Sequence, residues 1–179
     1  SFRQMELLKG FPVKKYLDKK PPSDNSFTTM QEVKDLKKIP MNRKFIKEKD
    51  DIEKSFASIV DDKELVGQLM KESVPIITKI KEHHNRPRPK KIAKKMGIKM
   101  KDIEMPSMKT PSYPSGHSAQ GTLIGLALSK RHPAKKKELM SMAKNISDSR
   151  NVAHAHYRSD SLFGIRLGKD MYKYIKDKV

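Results

Sequence analysis

Residues 114–130 read PSGHSAQGTLIGLALSK and join a polar turn to the best apolar run of the chain, Leu123 to Leu128. Ser is favoured at the N-cap of a helix, and Gly lets the backbone approach a neighbouring group closely. The pattern therefore predicts an apolar helix that opens at Ser115-Gly116-His117 and runs to about Lys130.

The flanking segments also repeat apolar residues at helical spacing, and no hairpin signal is present. Further helices are predicted from Thr28 or Thr29 to just before Pro40, at 42–59, from Asp61-Asp62 through a kink at Pro75 to Lys81, briefly at 91–96, from Pro133, and from Ser149–His156 into the C-terminal segment. The residues expected to face the core include Phe45, Ile52, Phe56, Leu65, Leu69, Val74, Ile77, Ile80, Leu139, Met142, Ala143 and Ile146. The predicted fold class is all-α.

The length of 179 residues suits one domain and is short for two. Residues 1–25 mix Lys, Pro and polar residues without sustained periodicity, and Pro21-Pro22 is typical of an extended connector. We therefore expect an extended N-terminal arm at 1–25, packed on the surface, and a single helical domain at 26–179.

Charge is the strongest compositional bias of the chain. Forty Lys and Arg against 21 Asp and Glu give a net charge of +19, which concentrates anions around any cleft. Steering of phosphorylated substrates and a merely solvated Lys-rich surface are both consistent with this charge. Contact with nucleic acid or with an anionic membrane surface also remains open.

The lack of Cys excludes disulfides, catalytic thiols and thiolate metal sites. No stretch approaches the roughly 20 apolar residues of a membrane span, so we expect a soluble chain without an integral membrane segment. The sequence starts at Ser1, so a removed signal peptide would imply a periplasmic or secreted protein, and otherwise a cytoplasmic one.

Three short blocks of polar residues follow one another at fixed spacing. They are Lys81 with Arg88-Pro89, then Pro114-Ser115-Gly116-His117, then Ser149-Arg150 with His156 and Asp160. Each block alone is weak evidence in a basic chain, but three blocks in this order rarely coincide by chance.

These blocks resemble the type 2 phosphatidic acid phosphatase superfamily, whose pattern reads Lys-x6-Arg-Pro, Pro-Ser-Gly-His and Ser-Arg-x5-His-x3-Asp. Pro21-Pro22, Arg86-Pro87-Arg88-Pro89 and the stretch 153–160 are also similar to the soluble class A bacterial non-specific acid phosphatases. The resemblance implies a helical bundle of the acid phosphatase and vanadium haloperoxidase type. It further implies a metal-independent phosphatase that hydrolyses phosphate monoesters through a phosphohistidine.

A phosphate ester needs its negative charge offset before a nucleophile can approach. Lys81, Arg88 and Arg150 would supply that positive charge, with Arg as a bidentate fork and Lys as a point charge. Lys79 and Arg86 satisfy the same Lys-x6-Arg-Pro spacing, so the sequence allows two registers. We choose Lys81 and Arg88 because the resemblance is to the second Arg-Pro.

The Ser-Gly-His block lies where a loop turns into a helix. The amides of Ser115 and Gly116 and the Ser hydroxyl are expected to point at an oxyanion, supported by the helix dipole. The alternative is that Ser115 is simply an N-cap. His117 resembles the general acid of the family, which gives a proton to the leaving alkoxide.

His156 resembles the nucleophile of the family. It would attack phosphorus through one ring nitrogen while Asp160 accepts the proton of the other and fixes the tautomer. If the stretch is helical, the spacing of four residues puts both on one face. The alternative is a surface His-Asp contact of little energetic weight.

Other functions compete with the phosphatase hypothesis. A vanadium-dependent haloperoxidase would hold vanadate on the same residues, a lipid phosphate phosphatase would act at a membrane surface, and an anion or nucleic-acid binder would use the charge alone. We expect no cofactor or metal, although His83, His84, His154 and His156 offer a metal alternative, and we expect vanadate to bind as a phosphate mimic. The expected partners are a small phosphorylated substrate and, by resemblance, a second copy of the chain in a homodimer.

Overall fold

The computed structural model describes residues 6–179, and this part of the chain contains helices and no strand. The all-α prediction is therefore confirmed. The helices are α1 Lys14–Leu17, α2 Phe27–Lys37, α3 Arg43–Asp50, α4 Ile52–Ala57, α5 Lys63–His84, α6 Pro89–Lys95, α7 Gly116–Arg131, α8 Lys136–Val152 and α9 Arg158–Ile175. Within residues 6–179, no helix combines the length and the apolar character needed to cross a bilayer.

Helix α7 is the central element of the fold, and it packs along both α8 and α9. Glycines allow these close approaches. On α9, a Cβ at Gly164 would lie 2.6 Å from the Ser115 carbonyl oxygen, and one at Gly168 would lie 2.5 Å from the Ala119 carbonyl oxygen. The packing of α9 therefore fixes the position of the first turn of α7, where the Ser-Gly-His block lies.

Gly164→Ala is expected to destabilise the protein by about 1–3 kcal/mol, because the new methyl group meets backbone that cannot move aside cheaply. Urea denaturation of the variant beside wild type measures this loss. Gly67→Ala is the matched control, since Gly67 lies inside α5 with no atom within 4 Å of its added Cβ, and it should be neutral or slightly stabilising. Equal stability of Gly164→Ala and wild type would contradict this packing.

Two details of the predicted helices differ from the structure. The helix expected at 42–59 is divided at Asp51, which has extended backbone angles and caps α4 by accepting a hydrogen bond from the Lys54 amide. Val74, expected in the core, is half exposed and borders a cavity instead. Helical spacing alone does not show a local cap or an open cavity beside a helix face.

The N-terminal segment also differs from its prediction. Residues 1–5 lie outside the described part, but residues 6–25 are not an extended surface arm. They contain α1, and Leu7, Leu8 and Tyr16 are buried in the main core. The Tyr16 hydroxyl also donates a hydrogen bond to Asp170 on α9. The domain boundary at residue 25 stays a prediction.

Candidate active site

The three sequence blocks meet at one cavity of about 210 Å³ between the C-terminal half of α5, the first turn of α7 and the turn before α9. Six of the eight predicted site residues line it: Lys81, Arg88, Gly116, His117, Arg150 and His156. Cations and imidazoles from five separate segments thus face a single space.

Arg88 is held in place by backbone carbonyls of the neighbouring loop. Its Nε donates to the Thr110 oxygen at 2.9 Å, and one terminal nitrogen donates to the Ser107 oxygen at 2.8 Å. The other terminal nitrogen lies 2.9 Å from His156 Nε2. Burial lowers the pKa of Arg88 to about 10, so the guanidinium stays charged at neutral pH.

Lys81 is buried near the end of α5, and its Nζ donates to the Pro111 carbonyl oxygen at 2.8 Å. Burial, aided by the charge of Arg88, lowers the pKa of Lys81 to about 7. A bound anion opposes both effects because it favours the charged ammonium. Lys81 is therefore placed to gain charge when an anion enters the cavity.

Lys79 and Arg86, the alternative Lys-x6-Arg-Pro pair, do not line this cavity. Lys79 is exposed, and Arg86 is buried away from the cavity lining, where it pairs with Asp160 and Glu32. The structure therefore places Lys81 and Arg88, not Lys79 and Arg86, around the cavity.

Ser115 is placed differently from its prediction. It is fully buried and does not line the cavity. Its hydroxyl accepts a hydrogen bond from the Ser118 amide at 3.2 Å, and its own amide donates to the Asp160 carbonyl oxygen at 3.1 Å. Ser115 thus acts as the N-cap of α7. Its amide, which we expected to face an oxyanion, instead donates to the backbone of α9.

Gly116 does face the cavity. A Cβ at this position would meet no atom closer than 3.8 Å, so packing within the protein does not require glycine here. The amides of Gly116 and His117 belong to the first turn of α7, whose N–H groups have no partner inside the helix. These two amides are the donors that the helix terminus offers to an anion.

His156 and Asp160 are paired by a helix cap and not by a helix face. His156 precedes α9, whereas Asp160 lies in its first turn, so the condition for a shared helix face is not met. Asp160 Oδ2 accepts a hydrogen bond from the Tyr157 amide at 3.0 Å and lies 3.2 Å from His156 Nδ1. The hydroxyl of Ser112 donates to the same carboxylate oxygen.

The electrostatics of this pair favour a neutral imidazole beside a carboxylate. Burial and the nearby charges of Arg88 and Lys81 hold the pKa of His156 well below its usual value. Burial raises the pKa of Asp160 to about 6, against the opposing charge of Arg86. The contacts favour the proton on Nδ1, because the Asp160 carboxylate can accept it and Arg88 can donate to the lone pair of Nε2 on the cavity side.

Asp50, at the end of α3, connects two of the predicted residues. His117 Nε2 lies 2.8 Å from the Asp50 carbonyl oxygen and 3.5 Å from its carboxylate, and Arg150 donates to that carboxylate at 3.1 Å. The hydrogen bond from His117 and the charge of Arg150 hold the pKa of Asp50 below its usual value. Sequence reasoning missed Asp50, because a partner 67 positions before His117 leaves no spacing signal.

Two histidines of the metal alternative, His84 and His154, are engaged away from the cavity. The two ring nitrogens of His154 lie 2.7 Å from the Lys101 carbonyl oxygen and 2.8 Å from that of Ile39, and His84 Nε2 lies 2.7 Å from the Tyr16 carbonyl oxygen. Within residues 6–179, no three His, Asp or Glu side chains gather as a group that could hold a metal ion.

An imidazole beside Lys81, Arg88 and Arg150 is an arrangement that suits nucleophilic chemistry on an anion. The family model described as the PAP2 superfamily matches residues 69–169, which is more than half of the chain and includes all three blocks. The chain belongs to the PAP2 superfamily.

Two curated relatives share sequence with the chain over a shorter segment. The non-specific acid phosphatase of Salmonella typhimurium (strain LT2) is 42% identical over 60 residues, and that of Salmonella typhi is 40% identical over 60 residues. Each match covers 34% of this chain and 24% of the relative. The chain thus spans about a quarter of the length of these relatives. The resemblance to acid phosphatases is confirmed over the matched segment.

Proposed function

We propose that this protein is a metal-independent phosphatase that hydrolyses phosphate monoesters through a phosphohistidine on His156. The observation that carries the proposal is the state of His156, whose Nδ1 lies 3.2 Å from Asp160 and whose Nε2 faces a cavity lined by three cationic side chains. The family match and the names of the two relatives support the same activity.

The substrate phosphoryl group would occupy the 210 Å³ cavity. Lys81, Arg88 and Arg150 would offset its charge, and the amides of Gly116 and His117 would donate to its oxygens. The phosphoryl group would replace His156 Nε2 as the partner of Arg88, which brings phosphorus next to the nitrogen that attacks it. The small volume favours a small phosphorylated substrate over a bulky one.

The reaction would proceed in two displacements. In the first, the Nε2–P bond forms, the P–O ester bond breaks, and His117 gives its proton to the leaving alkoxide. In the second, water attacks the phosphohistidine, His117 accepts the proton of that water, and the N–P bond breaks to release phosphate. The three cations offset the charge that Mg²⁺ offsets at many phosphoryl-transfer sites.

The role of His117 predicts a dependence on the leaving group. His117→Ala should lower the rate of phosphoenzyme formation from an alkyl phosphate by about 10²–10⁴-fold, because an alkoxide needs the proton. The decrease in the rate of phosphoenzyme formation should be much smaller for nitrophenyl phosphate, because its phenolate leaves without a proton. Single-turnover kinetics on both esters measures the difference, with the exposed His83→Ala as control. Equal losses on the two esters would rule out the general-acid role.

The proposed function is tested by hydrolysis of a chromogenic phosphate monoester in EDTA, with vanadate as a competitor. We expect activity that EDTA leaves unchanged and that vanadate inhibits. Folded protein with no activity on any monoester would refute the phosphatase, and activity that EDTA abolishes would refute its metal independence. Bromide oxidation by peroxide with added vanadate would then favour the haloperoxidase.

A further inference from the structure

A second set of charges lies behind Asp160, on the side away from the cavity. Arg86 is buried and donates to Asp160 Oδ1 at 2.7 Å and to the Ser159 hydroxyl at 2.8 Å. Its other terminal nitrogen donates to Glu32 Oε2 at 3.3 Å. The guanidinium therefore joins a carboxylate of α2 to the carboxylate that contacts His156.

The position of Arg86 is fixed from several directions. Its guanidinium lies 4.0 Å from the centre of the Tyr157 ring. Glu32 accepts hydrogen bonds from the Ser159 amide at 2.7 Å and from the Ser159 hydroxyl at 2.8 Å. Glu32 thus holds both Arg86 and the first turn of α9, the same turn that carries Asp160.

We propose that Arg86 and Glu32 are positioning residues for the reaction: Arg86 keeps Asp160 ionised, and Glu32 holds Arg86 and the first turn of α9 so that Asp160 stays aimed at His156 Nδ1. The inference rests on the proposed function of His156 as nucleophile. Neither residue lines the cavity, so both would act through Asp160 and not on the phosphoryl group.

The need for Arg86 follows from the burial of Asp160. A fully buried carboxylate favours its protonated form unless a cation or hydrogen-bond donors compensate for the lost water. The groups that face this carboxylate are Arg86, His156, the Ser112 hydroxyl and the Tyr157 amide.

Arg86 is the fixed positive charge of this set. The cations Lys81 and Arg88 lie beyond the imidazole, on the cavity side. Without Arg86, Asp160 would take up a proton at higher pH and lose its preference for the Nδ1 proton of His156. As the pH is lowered, a variant without Arg86 would therefore lose activity at a higher pH than wild type does.

The test is Arg86→Met beside Glu32→Gln, with Arg158→Met and Asp35→Asn as matched controls on exposed positions of α9 and α2. For Arg86→Met we expect kcat to fall by about 10–100-fold with little change in KM, as is typical of groups that orient a reacting side chain. The acid limb of its pH profile should move upward by about one unit or more. Glu32→Gln should lower kcat less, because Arg86 and the first turn of α9 are held less firmly, but it should not move the acid limb upward, because it removes a negative charge near Asp160. The controls should match wild type.

A readout independent of activity is ¹⁵N NMR of the His156 imidazole. Wild type should show the proton on Nδ1, whereas Arg86→Met should show a mixture of tautomers near neutral pH. Glu32→Gln keeps the shape of the side chain, so it tests the same inference if Arg86→Met does not fold.

Three outcomes would overturn the inference. One is a pH profile and kcat equal to wild type per folded molecule in both variants, which would leave Arg86 and Glu32 a purely structural role. Another is a raised KM with unchanged kcat, which would mean direct phosphate binding by Arg86. The third is an unchanged His156 tautomer in Arg86→Met. Inactive wild-type protein, or an active His156→Ala variant, would refute the proposed function itself, which these three outcomes leave standing.

Discussion

His156→Ala is expected to lower kcat by at least about 10⁴-fold, because the residue that forms the covalent intermediate has no substitute in the site. The cavity itself should persist, since Arg88 is also held by the Ser107 and Thr110 carbonyl oxygens. Vanadate should therefore still bind, but more weakly, without its contact to the imidazole. Steady-state kinetics and vanadate titration of the variant measure both effects.

The matched control is His83→Ala, which removes an exposed imidazole that does not line the cavity. It should retain the activity of wild type. Retention of more than a small fraction of wild-type kcat by His156→Ala would mean that water attacks phosphorus directly, and the covalent mechanism would be wrong.

Asp160→Asn is expected to lower kcat by about 10³–10⁴-fold, because an amide in this place no longer fixes the proton on His156 Nδ1. It should also destabilise the protein by about 1–3 kcal/mol, because the amide replaces one of the carboxylate oxygens that accept hydrogen bonds from Arg86, Ser112 and the Tyr157 amide. Kinetics corrected for the folded fraction and urea denaturation measure the two losses separately.

Asp170→Asn provides the comparison on the same helix. Asp170 pairs with Lys15 and accepts the Tyr16 hydroxyl, far along α9 from the site. This variant should lose stability but keep its kcat. An Asp160→Asn enzyme that is as active as Asp170→Asn would show that Asp160 has a structural role only.

The same carboxylate predicts the sign of the pH dependence in wild type. Burial raises the pKa of Asp160 to about 6, so Asp160 becomes protonated as the pH falls through that value. Activity of the free enzyme should therefore fall on the acid side near pH 6. The contribution of Asp160 to the free energy of unfolding should rise as the pH falls through the same value. A carboxyl whose pKa is raised in the folded state binds its proton more tightly in the native than in the unfolded protein.

Much of the fold could be predicted because burial of one helix face leaves a period in the sequence. The central helix opens at Ser115 and ends within one residue of the predicted Lys130. The break at Asp51 could not be predicted, since it depends on a side-chain cap within an otherwise helical pattern. The burial of Tyr16 depends on contacts with α9, more than 150 positions away.

The site was predictable to the extent that its residues lie in short blocks. His117, Arg150 and His156 could be found by spacing, and all three line the cavity. Spacing could not choose between Lys79 with Arg86 and Lys81 with Arg88, because only burial and contacts separate the two registers. Asp50 and Glu32 could not be found at all, because Asp50 contacts His117 across 67 positions and Glu32 contacts Ser159 across 127.

The most direct test of the central claim is to trap the phosphoenzyme. The enzyme is mixed with a ³²P-labelled monoester, denatured under alkaline conditions that preserve phosphohistidine, digested, and mapped. The account predicts one phosphoryl group on the peptide that contains His156. With labelled nitrophenyl phosphate, whose leaving group needs no proton, the level should be higher in His117→Ala, because the second step of that variant lacks its base. Product formation by wild type without label on His156 would contradict it, as would the same label in His156→Ala.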